Sequence, residues 1–191
     1  MQIATLILRP SMKLTNLEKT HRLKINDLKY LGGKYSFFQS IKKGGVGSPQ
    51  FLYKDGIDKW DKMDGEFQYK SVCSIELHKK GIALWYNKRQ KIHAALVPYE
   101  EVIAINYHSF KVDAQPLYQT KYILEAGNLD IQLKESDTPV SFYVPAPKHK
   151  TLVKFLNKHF SAIFNHDKSQ DEPILSEDPL YTSIYLHGVN Y

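Results

Sequence analysis

The sequence predicts a mainly β fold of the α+β class, an antiparallel sheet system closed by one amphipathic helix near the C-terminal end. Three observations predict it. From Phe67 to Val144, short β-branched and aromatic runs recur at intervals of about 8 to 12 residues, with Gly, Asn, Asp or Pro between them. One run, "LDIQLKE", alternates strictly, so Leu129, Ile131 and Leu133 share one face and Asp130, Gln132 and Lys134 the other. After Pro145 and Pro147 the period turns helical. Leu152, Phe155, Leu156 and Ile163, flanked by Val153 and Phe160, gather on one side, and Lys150, Lys154 and Lys158 on the opposite one. A helix this apolar on one side needs a hydrophobic mouth to fill, and its lysine stripe is the side it turns to water.

Taken in order, residues 2 to 8 read as a strand or docked arm, because the short apolar run lacks the basic lead of a signal peptide and the length of a membrane span. Residues 15 to 31 predict a helix: Thr15 and Glu18 have capping-box spacing, Leu17, His21, Leu28 and Leu31 share a face, and Gly32 and Gly33 stop it. "KYSFFQSIKKGG" fits either a short helix or an aromatic strand. The strand runs follow as "FQYKSVCSIEL", "IALWYN", "IHAALVPY" and "EEVIAINYH", then, after a loop at about 109 to 120, "YILEAG", "LDIQLKE" and "VSFYVPA". The expected organisation is a partly helical segment over 1–66 packing on a β domain over 67–164, with an acidic linker and aromatic tail over 165–191 whose Tyr181-to-Tyr191 end could dock as a strand.

Composition bounds the function classes. With 42% hydrophobic and 13% aromatic residues among 191, the chain holds enough apolar area for a real core. The lone Cys73 excludes an internal disulfide and paired-cysteine zinc or redox chemistry, which makes reducing cytoplasm the expected location. Net charge is +6 over residues 1 to 70, +4 over 71 to 164 and −4 over 165 to 191: a basic body with an acidic end. No internal repeat is visible.

The strand order followed by one amphipathic helix, together with "KKGIALWYN", "VPYEEVIAINY" and "VSFYVPAPKHKTLVKFL", resembles the bacterial pleckstrin-homology-like domains over residues 67 to 164. In that family "PYEEV" leads into a central strand, and two packed antiparallel sheets of about seven strands are corked by the helix. The resemblance implies this barrel and a binding role. Members that hold inositol phosphates use a long basic loop between the first two strands. Here that turn is only "HKKG", too short to wrap a headgroup.

Motifs for chemistry are sparse. "KKGGVGSP" at 42 to 49 looks like a phosphate-cradling loop, but Ser48 stands where the nucleotide-gripping lysine belongs and Pro49 and Gln50 follow, so a flexible turn is expected. Asp55, Asp58, Asp61 and Asp64 recur every third residue, which is not the spacing of a calcium loop; with Ile57 and Trp60 they predict a short amphipathic helix or turn with a wet acidic edge. None of the eight histidines has helical zinc spacing, and His159 reads as a partly buried core residue. Cys73 in "SVCSIEL" reads as buried rather than nucleophilic. No catalytic residue, metal or cofactor is expected.

What remains is the turn "YNKRQK". Trp85, Tyr86, Lys88, Arg89 and Lys91 combine stacking surfaces with positive charge and form the candidate ligand site. Lys42, Lys43, Lys79 and Lys80 form a secondary basic patch, with Lys79 and Lys80 at the opposite end of a hairpin from the candidate turn. The expected function is a non-catalytic binding or scaffolding module that recognises a protein or peptide segment, its own tail included. Attachment to anionic membrane through the basic turns comes second, single-stranded nucleic acid third and hydrolysis last.

Overall fold

The computed structural model describes residues 12–17, 21–65, 71–88, 91–114, 122–168 and 174–175. The fold is mainly β, an open mixed sheet with four helices among the described residues. In chain order the elements are β1 (Lys13–Asn16), α1 (Ile25–Tyr30), α2 (Phe37–Lys42), β2 (Phe51–Asp55), α3 (Asp58–Gly65), β3 (Val72–Leu77), β4 (Gly81–Lys88) and β5 (Lys91–Pro98). A 3-10 turn at Tyr99–Glu101 leads on to β6 (Val102–Ala114), β7 (Tyr122–Leu133), β8 (Val140–Val144), α4 (Ala146–Phe160), β9 (Phe164–Lys168) and β10 (Ile174–Leu175). Of the ten described strands six, β3 to β8, lie within residues 67–164, where the sequence reading gave about seven, because "YILEAG" and "LDIQLKE" are one continuous strand, β7.

Two antiparallel meanders, β3-β4-β5 and β6-β7-β8, make up most of the sheet, and β2 joins them by pairing with β3 on one side and β8 on the other. The strand path runs β1-β5-β4-β3-β2-β8-β7-β6-β10, and β9 also pairs with β6. Alternation sets the faces. Ile82, Leu84 and Tyr86 of β4 point into the main core with Cys73, Ile75, Ala95 and Val97, while Ala83, Ala94 and Leu96 point the other way into a second cluster. That outer cluster is covered by Leu17, Leu23 and Leu31 from the N-terminal part, so β4 and β5 are buried on both faces.

Helix α4 follows Pro145 and carries Pro147 in its first turn, where the missing N–H has no intrahelical partner to lose. Leu152, Phe155, Leu156 and Phe160 are buried in the main core, and Val153 and Ile163 pack on its margin. Each large apolar side chain taken from water is worth roughly 1.5–3 kcal/mol. Lys150, Lys154 and Lys158 are exposed, so the lysine stripe is the wet side of the helix.

Several local expectations change. Residues 13–16 form a strand rather than the start of a helix: Thr15 lies opposite Ala94, and pairing with β5 wins over the local capping pattern. Among the described residues of that stretch Ile25–Tyr30 is the helical part, held by a salt bridge of 2.7 Å from Lys13 to the buried Asp27. Leu17 and Leu31 still reach the core, but from different elements. The aromatic segment that fitted helix or strand is the helix α2. Strands β1 and β2 both belong to the sheet yet lie inside the segment drawn as 1–66, and β6 runs through residues 109 to 114, read as loop. Residues 165–168, read as the opening of an acidic linker, belong with Phe164 to strand β9, because they follow the outer edge of β6. The arm at 2 to 8 and the Tyr181-to-Tyr191 segment lie outside the described residues.

Candidate functional site

The hairpin end between β4 and β5 does not gather the predicted side chains on one surface. Tyr86 is fully buried, its ring tilted against Trp60 of α3 with ring centres 4.8 Å apart. Its neighbour Trp85 points to the opposite face of the strand, beside the cluster of Leu17, Leu23 and Leu31, and its indole N–H donates to Glu76 Oε2 at 2.9 Å. Lys88 corrects the sequence reading most: it is buried, and its ammonium lies 3.0 Å from Asp64 Oδ1 and 3.1 Å from the Asp64 carbonyl. Asp64 Oδ1 also accepts from the Ser71 hydroxyl. The acidic edge of "DGIDKWDKMDGE" is thus partly dry, with Asp64 buried and Asp61 Oδ1 accepting the Tyr53 hydroxyl at 2.7 Å. A cation spent on a buried carboxylate has no charge left for a ligand. Lys91 is exposed, and Arg89 lies outside the described residues.

On the outer face, Trp85 borders a shallow cavity of about 260 Å³ with His21, Gln50, Val72, Asn87 and Ile92. That is below the usual range for a small-molecule site. The secondary patch is split as well. Lys79 and Lys80 are exposed at the β3–β4 turn, where their N–H groups donate to the Gly33 and Leu31 carbonyls. The eight residues of β4, about 26 Å, separate them from Lys88. Lys42 is exposed on α2, and Lys43 places its ammonium 4.7 Å from the centre of the Tyr35 ring. The glycine-rich "KKGGVGSP" runs beside β3. Its backbone and Ser48 are used on β3: Leu77 N–H donates to the Val46 carbonyl, and Ile75 N–H to Ser48 Oγ at 2.8 Å.

The most organised polar cluster lies at the outer edge of β6, a place the sequence did not nominate. Strand β9 runs parallel to β6 from Ile105↔Phe164 to Ser109↔Lys168. Tyr107, Glu125, His149, Ser109 and His166 meet there from β6, β7, α4 and β9. His149 Nε2 is 3.0 Å from Glu125 Oε2, which leaves Nδ1 to accept the Tyr107 hydroxyl at 2.8 Å. Ser109 Oγ meets His166 Nε2 at 3.1 Å, and Asn165 donates to Asn106 Oδ1 at 2.9 Å. The Tyr107 ring fits because residue 127 is glycine: a Cβ there would come within 2.5 Å of it. Burial holds His149 and His166 below the usual imidazole pKa, and it raises Tyr107. Ser109 is buried and closed to a substrate, so this cluster fastens α4 and β9 to the sheet. The signal for it, histidines at 149 and 166 with Tyr107 and Ser109, is scattered over 60 residues and converges only in space.

Cys73 is buried, and burial pushes its thiol pKa well up, away from nucleophilic reactivity. His159 is half-buried against Phe155, with ring centres 4.9 Å apart. Among the described residues no three His, Cys, Asp or Glu side chains group as metal ligands, and no helix is long and apolar enough to cross a membrane. No family model, curated protein or solved structure matches the chain.

Proposed function

We propose that the chain is a non-catalytic binding or scaffolding module on a pleckstrin-homology-like barrel, and that it recognises an extended protein segment along the outer edge of β6. The strand order supports the barrel reading: β5-β4-β3-β2-β8-β7-β6 sets a four-strand meander beside a three-strand one, first strand next to last, with α4 following. On this reading the barrel starts at β2, not at residue 67. It needs no cofactor and works in the cytoplasm, where a lone buried thiol stays reduced.

The observation that carries the binding role is β9. Five consecutive residues of the chain add a parallel strand to β6, main chain to main chain, with Asn165 and His166 anchored on Asn106 and Ser109. That is strand addition, in which backbone hydrogen bonds give affinity and side-chain anchors give selection. The edge is filled in cis, so a partner binds by exchanging with residues 164–168. The same edge takes Ile174–Leu175 opposite Val112 and Asp113. Membrane and nucleic-acid binding at the β4–β5 turn lose their support, since Tyr86 is core and Lys88 is neutralised.

The experiment is amide exchange on the full chain and on Asn165→Pro. The Ile105 N–H donates to the Ile163 carbonyl at 2.8 Å, and a parallel ladder uses the residue-165 N–H next. We expect faster exchange at Tyr107 and Ser109 in the variant, and saturable binding of a peptide of residues 164–175 to it. Unchanged exchange with no peptide binding overturns the reading.

A further inference from the structure

Helix α2 is a fully built element with no core beneath it among the described residues. Ser36 caps it, with its hydroxyl accepting the Gln39 N–H and the Gln39 side chain accepting the Ser36 N–H at 3.0 Å. Its far end is closed by Gly44 and Gly45 at φ +71° and +97°, the Gly45 N–H donating to the Ser40 carbonyl at 2.9 Å. Yet none of its six residues is buried. Phe37, Phe38 and Ile41 are 75%, 81% and 60% exposed, and at about 100° per residue they fall within one ~100° arc. Two phenylalanines held out by a doubly capped helix are costly in water, and a contiguous apolar patch of this kind marks a contact surface.

The surroundings identify the contact. Lys42 is exposed at the end of the helix and Lys43 follows it. Lys158 of α4 reaches the same place: a Cβ on Gly44 would come within 2.2 Å of its Nζ. Lys43 and Lys158 both act on His159, whose pKa is lowered first by burial and then by these two charges. Apolar side chains this exposed project from the surface; they do not line a groove. A projecting apolar wedge with lysines grouped at one end matches a surface that is fluid, apolar below and anionic above.

We infer that α2 is a membrane-docking wedge: Phe37, Phe38 and Ile41 enter the interface of an anionic lipid bilayer while Lys42, Lys43 and Lys158 meet its headgroups. This site is separate from the β4–β5 turn and from the β6 edge, and it stands whether or not β6 binds a segment. The wedge lies ahead of β2, so the short β3–β4 turn that rules out a wrapped headgroup does not bear on it.

The test is co-sedimentation of the full-length chain with vesicles of phosphatidylcholine, alone and with about a third phosphatidylserine. We expect binding to the anionic vesicles that weakens with salt, and a loss of roughly tenfold or more in Phe37→Ser/Phe38→Ser. Lys42→Glu/Lys43→Glu is expected to lose the preference for phosphatidylserine. A Phe38→Trp chain reports insertion directly, by a blue shift of its emission on the same vesicles. All three are surface changes, so thermal unfolding should match the parent chain and exclude misfolding as the cause. No sedimentation at low salt, undiminished binding in the double serine variant, or a wedge that instead sustains self-association in analytical centrifugation overturns the inference.

Discussion

Helices α4 and α2 are made of the same kinds of residue, phenylalanine with leucine or isoleucine, and lysine, but they sit on opposite sides of the folding balance. In α4 the two kinds separate by face: Leu152, Phe155, Leu156 and Phe160 close the sheet, and the lysines face water. In α2 both kinds face water. Helix α4 draws its stability from tertiary packing, whereas α2 depends on its caps, as a six-residue helix must. The difference teaches that an apolar stripe specifies which face seeks cover but not what supplies it.

The comparison breaks first where a buried group is removed. Asp64→Ala leaves the Lys88 ammonium buried without its carboxylate and should cost about 3–5 kcal/mol in urea unfolding. Adding Lys88→Met should recover much of it, because an apolar chain then replaces the stranded charge. Next comes Leu156→Ala, which opens a cavity under α4 and should cost roughly 2–5 kcal/mol by the same measurement.

A third prediction concerns the cluster that pins α4 and β9. Burial lowers the folded-state pKa of His149, so below the unfolded value of about 6.5 the unfolded chain takes up protons that the folded one refuses. Stability is fully present above that value and should fall as pH drops from about 7 to 5. Glu125 opposes the shift, and Lys168 and Lys150 add to it. In His149→Gln the melting temperature should depend less on pH over that window. The smallest effect belongs to α2: Phe38→Ser should change stability by no more than about 0.5 kcal/mol, since a side chain 81% exposed has little burial to lose.

How much could be read from the chain follows the same division. Helix α4 was legible because two prolines mark its start and the 3.6-residue period runs on for four turns; "LDIQLKE" was legible because strict alternation leaves one solution. Strand β1 was not, since Thr15 and Glu18 mimic a helix start and only the distant Ala94 decides otherwise. Strand β2 was missed because "FLYKD" is short and lies against an acidic stretch. The basic turn read as a ligand site because Lys88 and Asp64 are 24 residues apart, and nothing local reveals that each neutralises the other. Strand β9, polar in sequence as "FNHDK", is held by main-chain pairing and by the Asn106 and Ser109 contacts, which composition does not report.

Native-state amide exchange on the full chain tests the central claim, that the apolar side of α4 closes the sheet and that of α2 closes nothing. The account predicts that the Leu152-to-Phe160 amides exchange only through global unfolding, while those of Gln39 to Lys43 exchange by local opening, orders of magnitude faster. Amides of α4 that exchange as fast as those of α2 would contradict it.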